Sequence, residues 1–543
     1  MSKQPGILGS LRNPVFRALW VSAVISNTGG MIQQVGAAWM MTLLTSSQGM
    51  VALVQAAVTM PIMVVSIAAG VLADNYERRT VLLCAQAFML IMSILLTGLA
   101  FAGLLTPWLL LTFTFLIGCG MGLHNPSWQA SFSELVPRED LPSAVAMNAM
   151  GMNVTRSVGP ALGGVITATL GAAAAFAMNA LTYFVLIGAL LSWKPIKRER
   201  TLPRERFLSA LVAGLRYMML SPEIMAINLR GFVFGAGAIS MQALLPLVAR
   251  DALGGGAQIF GILLGAFGLG AVVGALNAAR VRARMSNENV VRAGSALFAL
   301  CCIMVAVSQS LMLSVLVIFI SGTCWLNVNS LLNVSVQLAS PRWVLGRMIA
   351  IFMSFIFGGM AMGSWLLGWI AETQSLTTAF FVAAGILVVS LCWGLFAPLQ
   401  VSGDLNLDPV DRHAAHALKL DLNRRSGPIL IMVHYKIAQA DVTAFLALIA
   451  ERRRVHMRDG ARRWTLLRDL ENPDIWIESY SFPTWTEYLR HTERRTKADD
   501  DVIRRLLALH CGPEPVRAQR TIERQTVVPL DDMPRIDGSL GVD

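Results

Sequence analysis

Residues 70–83 read GVLADNYERRTVLL. Long apolar stretches flank a polar island, Asp74-Asn75-Tyr76-Glu77-Arg78-Arg79. An apolar run that closes on a carboxylate and resumes just after two arginines reads as two membrane helices joined by a short charged turn. Gly70 lets two such helices approach closely. Asp74 falls at a helix end, where a carboxylate needs a partner.

The rest of the chain agrees with that reading. It has 543 residues, 55% hydrophobic and 14% charged, with a mean hydropathy of +0.59. Soluble domains carry about 25% charged residues. The formal net charge of +11 raises the question of a nucleic-acid binder. Residues 1–399 hold 22 Lys and Arg against 11 Asp and Glu, however, while residues 400–543 hold 22 of each. The excess therefore lies wholly in the apolar part, where it reflects topology, and no nucleic acid is expected as a partner. The seven cysteines form no C-x-x-C pair, and six sit in apolar runs as small hydrophobes. Neither a metal site nor a disulfide framework is expected.

Twelve stretches have the length and apolarity of spans: about 15–44, 48–73, 80–103, 107–133, 143–169, 172–193, 223–249, 257–279, 291–308, 311–338, 344–371 and 376–397. With the N-terminus inside the cell, the inner segments carry 19 basic residues and the opposite face carries Arg250 alone. That bias puts both termini in the cytoplasm and the 70–83 turn on the inner face.

The apolar part also repeats. A shift of 204 residues lays Gly70 on Gly274, Leu72 on Leu276, Arg78 on Arg282, Gly118 on Gly322 and Asn125 on Asn329. The same shift lays PREDL (137–141) on PRWVL (341–345), Gly159 on Gly363, Leu162 on Leu366 and Gly164 on Gly368. Two halves in the same order form a parallel repeat related by an axis along the membrane normal. The expected domains are a six-helix bundle at 1–193, a basic loop at 194–222 and a second bundle at 223–399. A linker (400–427), a small domain (428–527) and a disordered tail (528–543) follow.

GVLADNYERRTVLL resembles the signature loop between helices 2 and 3 of the major facilitator superfamily. Gly70, Asp74, Arg78 and Arg79 match, and Glu77 stands where the superfamily usually has glycine. The resemblance implies an all-α, 12-helix transporter whose halves rock about a central site, with this loop as a cytoplasmic latch. In the second half Ala278 stands where the first has Asp74, so one half alone keeps the full latch. Residues 156–164, RSVGPALGG, resemble the Gly-Pro motif of exporting members through Gly159, Pro160, Gly163 and Gly164. Small residues pack helices closely, and an internal proline removes a backbone donor and kinks the helix. The closer likeness is to the branch holding enterobactin exporters and transmembrane secretion effectors. LRNPVFRALWVSAVISNTGGMIQQVGAAWMM (11–41), GLHNPSWQASFSELVP (122–137) and MNVTRSVGPALGG (152–164) carry it.

Polar residues at membrane depth are functional candidates. Arg156 lies 13 residues into its span, ~20 Å along a helix. His124, Asn125, Gln33, Gln34, Trp39, Arg230, Asn329 and Asn333 complete the expected substrate or ion pathway. The superfamily lines its cavity with helices 1, 4, 7 and 10, and these residues fall on them. No carboxylate occupies the middle of a span, which argues against a simple carboxylate proton relay; His124 is the other titratable candidate. The arginine of the superfamily's helix 4 motif is also missing, with TFLIG at 114–118. Arg156 and Arg230 without an acid lean towards an anionic or polyphenolic substrate.

After the linker, PILIMVHYKI (428–437), RWTLLRDL (463–470), IWIESYSF (475–482) and a segment near 515–524 read as strands. Residues 440–457 and 484–510 read as helices. The order βαββαβ is that of a ferredoxin-like α+β unit. It resembles the small monooxygenase-like domains of antibiotic biosynthesis, which implies homodimerisation through the sheet. An enzymatic version of that resemblance would put a haem or quinone site at Trp464, Trp476, Trp485 and His491. The plainer reading makes these tryptophans core residues of a regulatory or dimerisation appendage.

The sequence thus predicts a bacterial inner-membrane secondary transporter rather than an enzyme, exporting a siderophore-like or drug-like small molecule. No cofactor is expected, and a proton gradient is the candidate energy source. The partners are the substrate, the lipid bilayer and a second copy through the tail. The alternatives are a transporter fused to an enzymatic tail that modifies the substrate, and a membrane sensor without flux.

Overall fold

Apolar runs broken by short polar turns give helices wherever no water can satisfy the backbone. The computed structural model describes residues 9–75, 77–137, 140–194, 207–341, 343–396, 398, 420, 422–423 and 426–523, with the side chains of residues 66–75 not among them. The helices are α1 (Pro14–Leu44), α2 (Gln48–Asn75), α3 (Arg78–Phe101), α4 (Pro107–Leu135), α5 (Leu141–Leu170), α6 (Ala172–Ser192) and α7 (Phe207–Met219). Next comes α8 (Pro222–Ala238), carried on by short helical pieces through a π-helical turn at Val248–Ala252. Then come α9 (Ala257–Arg284), α10 (Asn287–Val307), α11 (Leu311–Leu338), α12 (Leu345–Thr373) and α13 (Leu376–Phe396). Among the described residues, eleven helices are long and apolar enough to cross a membrane. The stretch expected at 143–169 is the 30-residue helix α5, which is not one of the eleven. Asn148, Asn153, Thr155, Arg156 and Ser157 dilute its apolarity. The chain is a multi-pass membrane protein.

Short caps set the helix starts. Asn13 accepts from the amides of Val15 and Phe16 ahead of Pro14, Thr106 accepts from Leu109 ahead of Pro107, and Ser286 accepts from Asn289. A side-chain oxygen at such a position satisfies an amide the helix cannot, and proline at the first position gives up no bond.

The described chain clusters into two compact units. The first holds Met1–Leu211, Met225–Val336 and Gly346–Gln400. Within it the 204-residue repeat reappears as glycine packing. A methyl group on Gly118 of α4 would meet the Val58 carbonyl of α2 at 3.1 Å, and Gly322 of α11, its repeat mate, lies still more tightly on the Phe267 carbonyl of α9. Gly159 of α5 packs on Met31 of α1, and its mate Gly363 of α12 on Ala236 of α8. Small residues replace the hydrophobic drive that lipid does not supply between helices.

The two halves also touch each other through equivalent helices. Gly164 of α5 faces Gly261 of α9, where a Cβ on either would approach the other's Cα to within 2.7 Å. Its mate Gly368 of α12 packs on Ala52 of α2. Ser364 Oγ donates to the Ala52 carbonyl at 2.5 Å, and Ser354 Oγ to the Met63 carbonyl at 2.9 Å. At the start of α2, Ser47 Oγ and the Gly49 amide both donate to Glu372 Oε2 at the end of α12, at 2.9 and 3.1 Å. On the same face Arg250 donates to the Thr42 carbonyl at 3.2 Å.

The second unit holds Val212–Ile224, Gln337–Leu345 and Val401–Asp543. Its sheet has β1 (Ile429–Lys436), β2 (Arg462–Arg468), β3 (Ile475–Phe482) and β4 (Ala518–Ile522) in the order β2-β3-β1-β4, antiparallel throughout. β1 and β3 alternate buried and half-exposed residues, so one face is apolar. Helices α14 (Val442–Asp459), α15 (Trp485–Arg494) and α16 (Lys497–Ala508) accompany the sheet. Phe445 and Ile449 of α14 and Leu506 of α16 join Ile431, Tyr435, Trp476, Tyr480 and Phe482 in one core. The expected single helix at 484–510 is two. Arg495 is extended, and Thr496 with Asp499 forms a reciprocal capping box that starts α16. In the two shorter segments of this unit, Tyr217 of α7 meets Trp343 edge-on at 5.6 Å. Arg458 lies over the Tyr217 ring at 5.0 Å and Arg494 over the Trp343 ring at 4.3 Å.

Candidate functional site

Polar side chains can face inward from apolar helices only where they find each other or a water-filled space. Between the two halves of the first unit lies a cavity of about 280 Å³. Gln33 and Gln34 of α1, Asn125 of α4, Arg156 and Pro160 of α5, and Asn329 of α11 line it, as the sequence analysis expects. Apolar walls come from Phe267, Trp325, Phe357 and Met360. Such a mostly apolar pocket with a few convergent polar groups is the usual form of a small-molecule site.

The polar wall is organised. Gln33 Oε1 accepts from Asn179 Nδ2 at 2.5 Å and from Ser93 Oγ at 3.1 Å, and Asn179 Nδ2 also reaches the Tyr183 hydroxyl at 3.2 Å. Gln34 Nε2 donates to Gln55 Oε1 at 2.9 Å. The Asn329 side-chain oxygen is buried without a hydrogen bond, an acceptor held open at the wall. Arg156 is the one charged side chain lining the cavity among the described residues. It sits at the middle of α5, 15 residues from Leu141, or ~22 Å along the axis.

The sequence reasoning missed Gln55, Thr59, Asn179, Tyr183, Gln242 and Trp325, which also line the cavity. A signal existed: Gln55 with Thr59 and Asn179 with Tyr183 are polar pairs four apart on apolar helices, a spacing that shares one face.

Other expected pathway residues lie elsewhere. His124 does not line the cavity. It is 5% exposed, its Nδ1 lies 3.1 Å from Gln86 Nε2, and it stacks on Trp128 at 6.3 Å. Trp39 and Asn333 are not among the lining residues either. Arg230 is 1% exposed and forms a two-pronged ion pair with Glu288 of α10 at 2.5 and 2.8 Å. Its charge is neutralised there, so among the described residues Arg156 alone supplies the cavity's positive charge. Gly394 makes room for that pair, since a Cβ there would collide with both partners.

The latch residues divide. Gly70 and Asp74 belong to α2 by their backbone, and the Asp74 side chain lies outside the described residues. Arg78 pairs with Glu134 of α4 at 3.1 Å. Arg79 donates from Nε and Nη2 to the carbonyls of Leu190 and Leu191, both at 2.9 Å. Those carbonyls belong to the last turn of α6, and the Leu190 one also accepts the Trp193 amide at 3.3 Å. Of the helix 5 motif, Gly163 packs on Ile32 and Val35 of α1, so three glycines serve packing while Pro160 alone reaches the cavity.

In the second unit, Trp464, Trp476, Trp485 and His491 do not converge. Trp464 donates to Glu478 Oε1 at 2.9 Å, Trp476 packs on Phe445 at 5.6 Å, and Trp485 stacks on Tyr488 at 5.0 Å. Glu478 is fully buried and also accepts from Arg452 at 2.8 Å and Tyr435 at 3.0 Å, a satisfied internal network. No group of three or more potential metal ligands occurs among the described residues.

Comparison with known proteins bears on the same features. A family model described as transmembrane secretion effector matches residues 6–526. Enterobactin exporter EntS of Escherichia coli O1:K1 / APEC is 30% identical over 337 residues, 60% of this chain and 78% of that protein. The protein of the same name from Escherichia coli O81 (strain ED1a) is 29% identical over the same length. Among solved structures, a POT family transporter in complex with 5-aminolevulinic acid aligns with a TM-score of 0.59 at 14% identity, covering 73% of this chain and 98% of its own. The nucleoside transporter NupG aligns at 0.56 and 14% identity, covering 71% and 100%. At such identities these structures speak to the fold.

Proposed function

Because the chain belongs to the transmembrane secretion effector family, whose relatives and structural neighbours are membrane transporters, we propose that it is a secondary active exporter of a small organic anion, siderophore-like in chemistry. The observation that carries this reading is Arg156, the one charged side chain among the described residues that line a largely apolar cavity between the two halves. A guanidinium in low dielectric holds a carboxylate or phenolate by a charge-assisted bond, and the aromatic wall takes the ring.

The cavity opens to one side at a time as the halves rock about it. In this reading α5 completes a set of twelve spans, both termini face the cytoplasm, and the membrane is the bacterial plasma membrane. The outer face is held shut by Glu372 on Ser47 and Gly49 and by Arg250 on Thr42. On the inner face Arg78 on Glu134 and Arg79 on the end of α6 tie the first half together. Asp74 completes this latch. A proton gradient drives the cycle. In the same reading the second unit is a ferredoxin-like appendage without catalysis that pairs with a second copy through its sheet, and the strand order β2-β3-β1-β4 supports it.

The test is uptake into everted vesicles carrying the protein. Catecholate anions should accumulate, Arg156→Ala should cut their uptake about tenfold or more, and Arg156→Lys should restore part of it. Preferential transport of a cationic drug, undiminished by Arg156→Ala, would overturn the reading.

A further inference from the structure

The second unit contains its own cavity, of about 310 Å³, between the sheet and α14, α15 and α16. Its size is at the low end for small-molecule pockets and suits one or two rings. Ile431, Val455, Tyr480 and Val502 give it apolar walls. Its polar wall is the histidine pair His456 and His491, whose rings meet through Nδ1 and Nε2 at 3.2 Å.

Each histidine has a second ring nitrogen that is buried and makes no hydrogen bond, His456 Nε2 and His491 Nδ1. His456 is 6% exposed, and its Nε2 lies 3.5 Å from Glu478 Oε1. That carboxylate favours a proton on His456 Nε2, which leaves His456 Nδ1 as acceptor for a proton on His491 Nε2. His491 Nδ1 is then a bare acceptor at the cavity wall. Burial and the surrounding arginines hold both rings neutral, His491 down to about 3. A buried acceptor with no partner costs free energy that a ligand hydroxyl would recover.

A charge stands ready beside it. Of the arginines at the wall, Arg452 is held by Glu478 and Arg495 by Asp500. Arg520 has no carboxylate partner among the described residues; its Nε donates to the Tyr488 hydroxyl at 2.7 Å. It stands on the exposed strand β4, beside the lining residue Ala518.

We propose that this cavity is a second ligand site, for a small hydroxylated aromatic acid whose carboxylate meets Arg520 and whose hydroxyl donates to His491 Nδ1. No bond is made or broken; the site binds. Asp459 and Asp499 line the cavity, and Arg458 donates to both, at 3.0 and 3.1 Å, while lying over Tyr217. Arg458 thus links the cavity wall to the Val212–Ile224 segment, the path along which occupancy would signal.

The test is calorimetric titration of the full chain in detergent with salicylate, benzoate and phenol, which carry both groups, the carboxylate alone and the hydroxyl alone. Salicylate should bind about fivefold or more tightly than either. Ala518→Trp, which blocks the cavity from an exposed strand position, and Arg520→Gln should each weaken it about tenfold. His491→Phe should erase the preference for salicylate over benzoate. Titrations repeated in an Arg156→Ala background, where the guanidinium of the site between the helices is gone, should keep the same order of probes and the same losses in Ala518→Trp and Arg520→Gln, which separates the two sites. Absence of salicylate binding, equal binding of all three probes, binding indifferent to Ala518→Trp and Arg520→Gln, or loss of binding in Arg156→Ala would each overturn the proposal.

Discussion

Glu372, near the end of α12, and Ser47, just before α2, are joined across the two halves of the membrane unit by a 2.9 Å hydrogen bond. The same carboxylate oxygen takes the Gly49 amide at the N-terminal end of α2, where a negative charge is favoured. Glu372→Gln keeps the shape and removes the charge. Distances between spin labels on α2 and α12 should then shift towards separated ends, with a change in populations of about fivefold for a loss of about 1 kcal/mol. Unchanged distributions would mean that this contact does not hold the face closed.

Gly164 and Gly261 bring α5 and α9 together with no side chain between them. Gly164→Val should force the helices apart and cut transport about tenfold with expression retained. Gly188→Val is the control, because nothing lies within 4 Å of a Cβ at that position. Equal effects of the two substitutions would refute the close-approach account.

Arg230 and Glu288 test whether a buried ion pair is structural. Arg230→Met leaves the Glu288 carboxylate without its main partner and should cost about 3–5 kcal/mol, seen as a large drop in thermal midpoint in detergent. The double variant Arg230→Met with Glu288→Met should recover most of it. Continued loss in the double variant would give the pair a role beyond neutralising itself.

Acid should loosen the second unit. His456 and His491 have folded-state values well below their ordinary one, so the unfolded chain binds protons below about pH 6.5 while the folded chain does not. Stability is therefore lost as pH falls, by up to about 1.4 kcal/mol per pH unit for each ring. Asp459 works in the opposite sense. Burial raises its carboxyl to about 6, so the folded chain holds a proton that the unfolded chain has released, and it gains stability as pH falls towards 4. Two rings against one carboxyl leave a net loss between about pH 6.5 and 5. Hydrogen exchange over residues 429–522 in the full chain, corrected for intrinsic rates, should show reduced protection at the lower pH. Increased protection would contradict the balance drawn here.

Much of the membrane unit was legible because its rules are one-dimensional. Spans follow from run length, and several glycines that match at a shift of 204 sit at close helix contacts, the mates Gly159 and Gly363 and the mates Gly164 and Gly368 among them. What was not legible depended on rotation and on distance. His124 and Asn125 are neighbours, yet successive residues point about 100° apart on a helix, so one faces the cavity and the other packs inside the bundle. Arg230 looked like a free charge because Glu288 is 58 residues away and opens a different helix. In the second unit the break at Thr496 was written in its sequence, with Asp499 three residues on, but it lay under a continuous amphipathic pattern. The buried Glu478 carried no such sign, since Tyr435, Arg452 and Trp464 come to it from three separate elements.

Tyr217 and Trp343 are 126 residues apart in the chain and belong with the carboxyl-terminal sheet, where they cap Arg458 and Arg494. A soluble fragment cut at the linker would leave both rings behind. One face of each guanidinium would be left to water, while Arg458 would keep its bonds to Asp459 and Asp499 and Arg494 its bond to the Asp459 carbonyl. Anyone purifying that piece alone will be studying an altered object; grafting the two short segments, Val212–Ile224 and Gln337–Leu345, back onto it is the way to recover the native one.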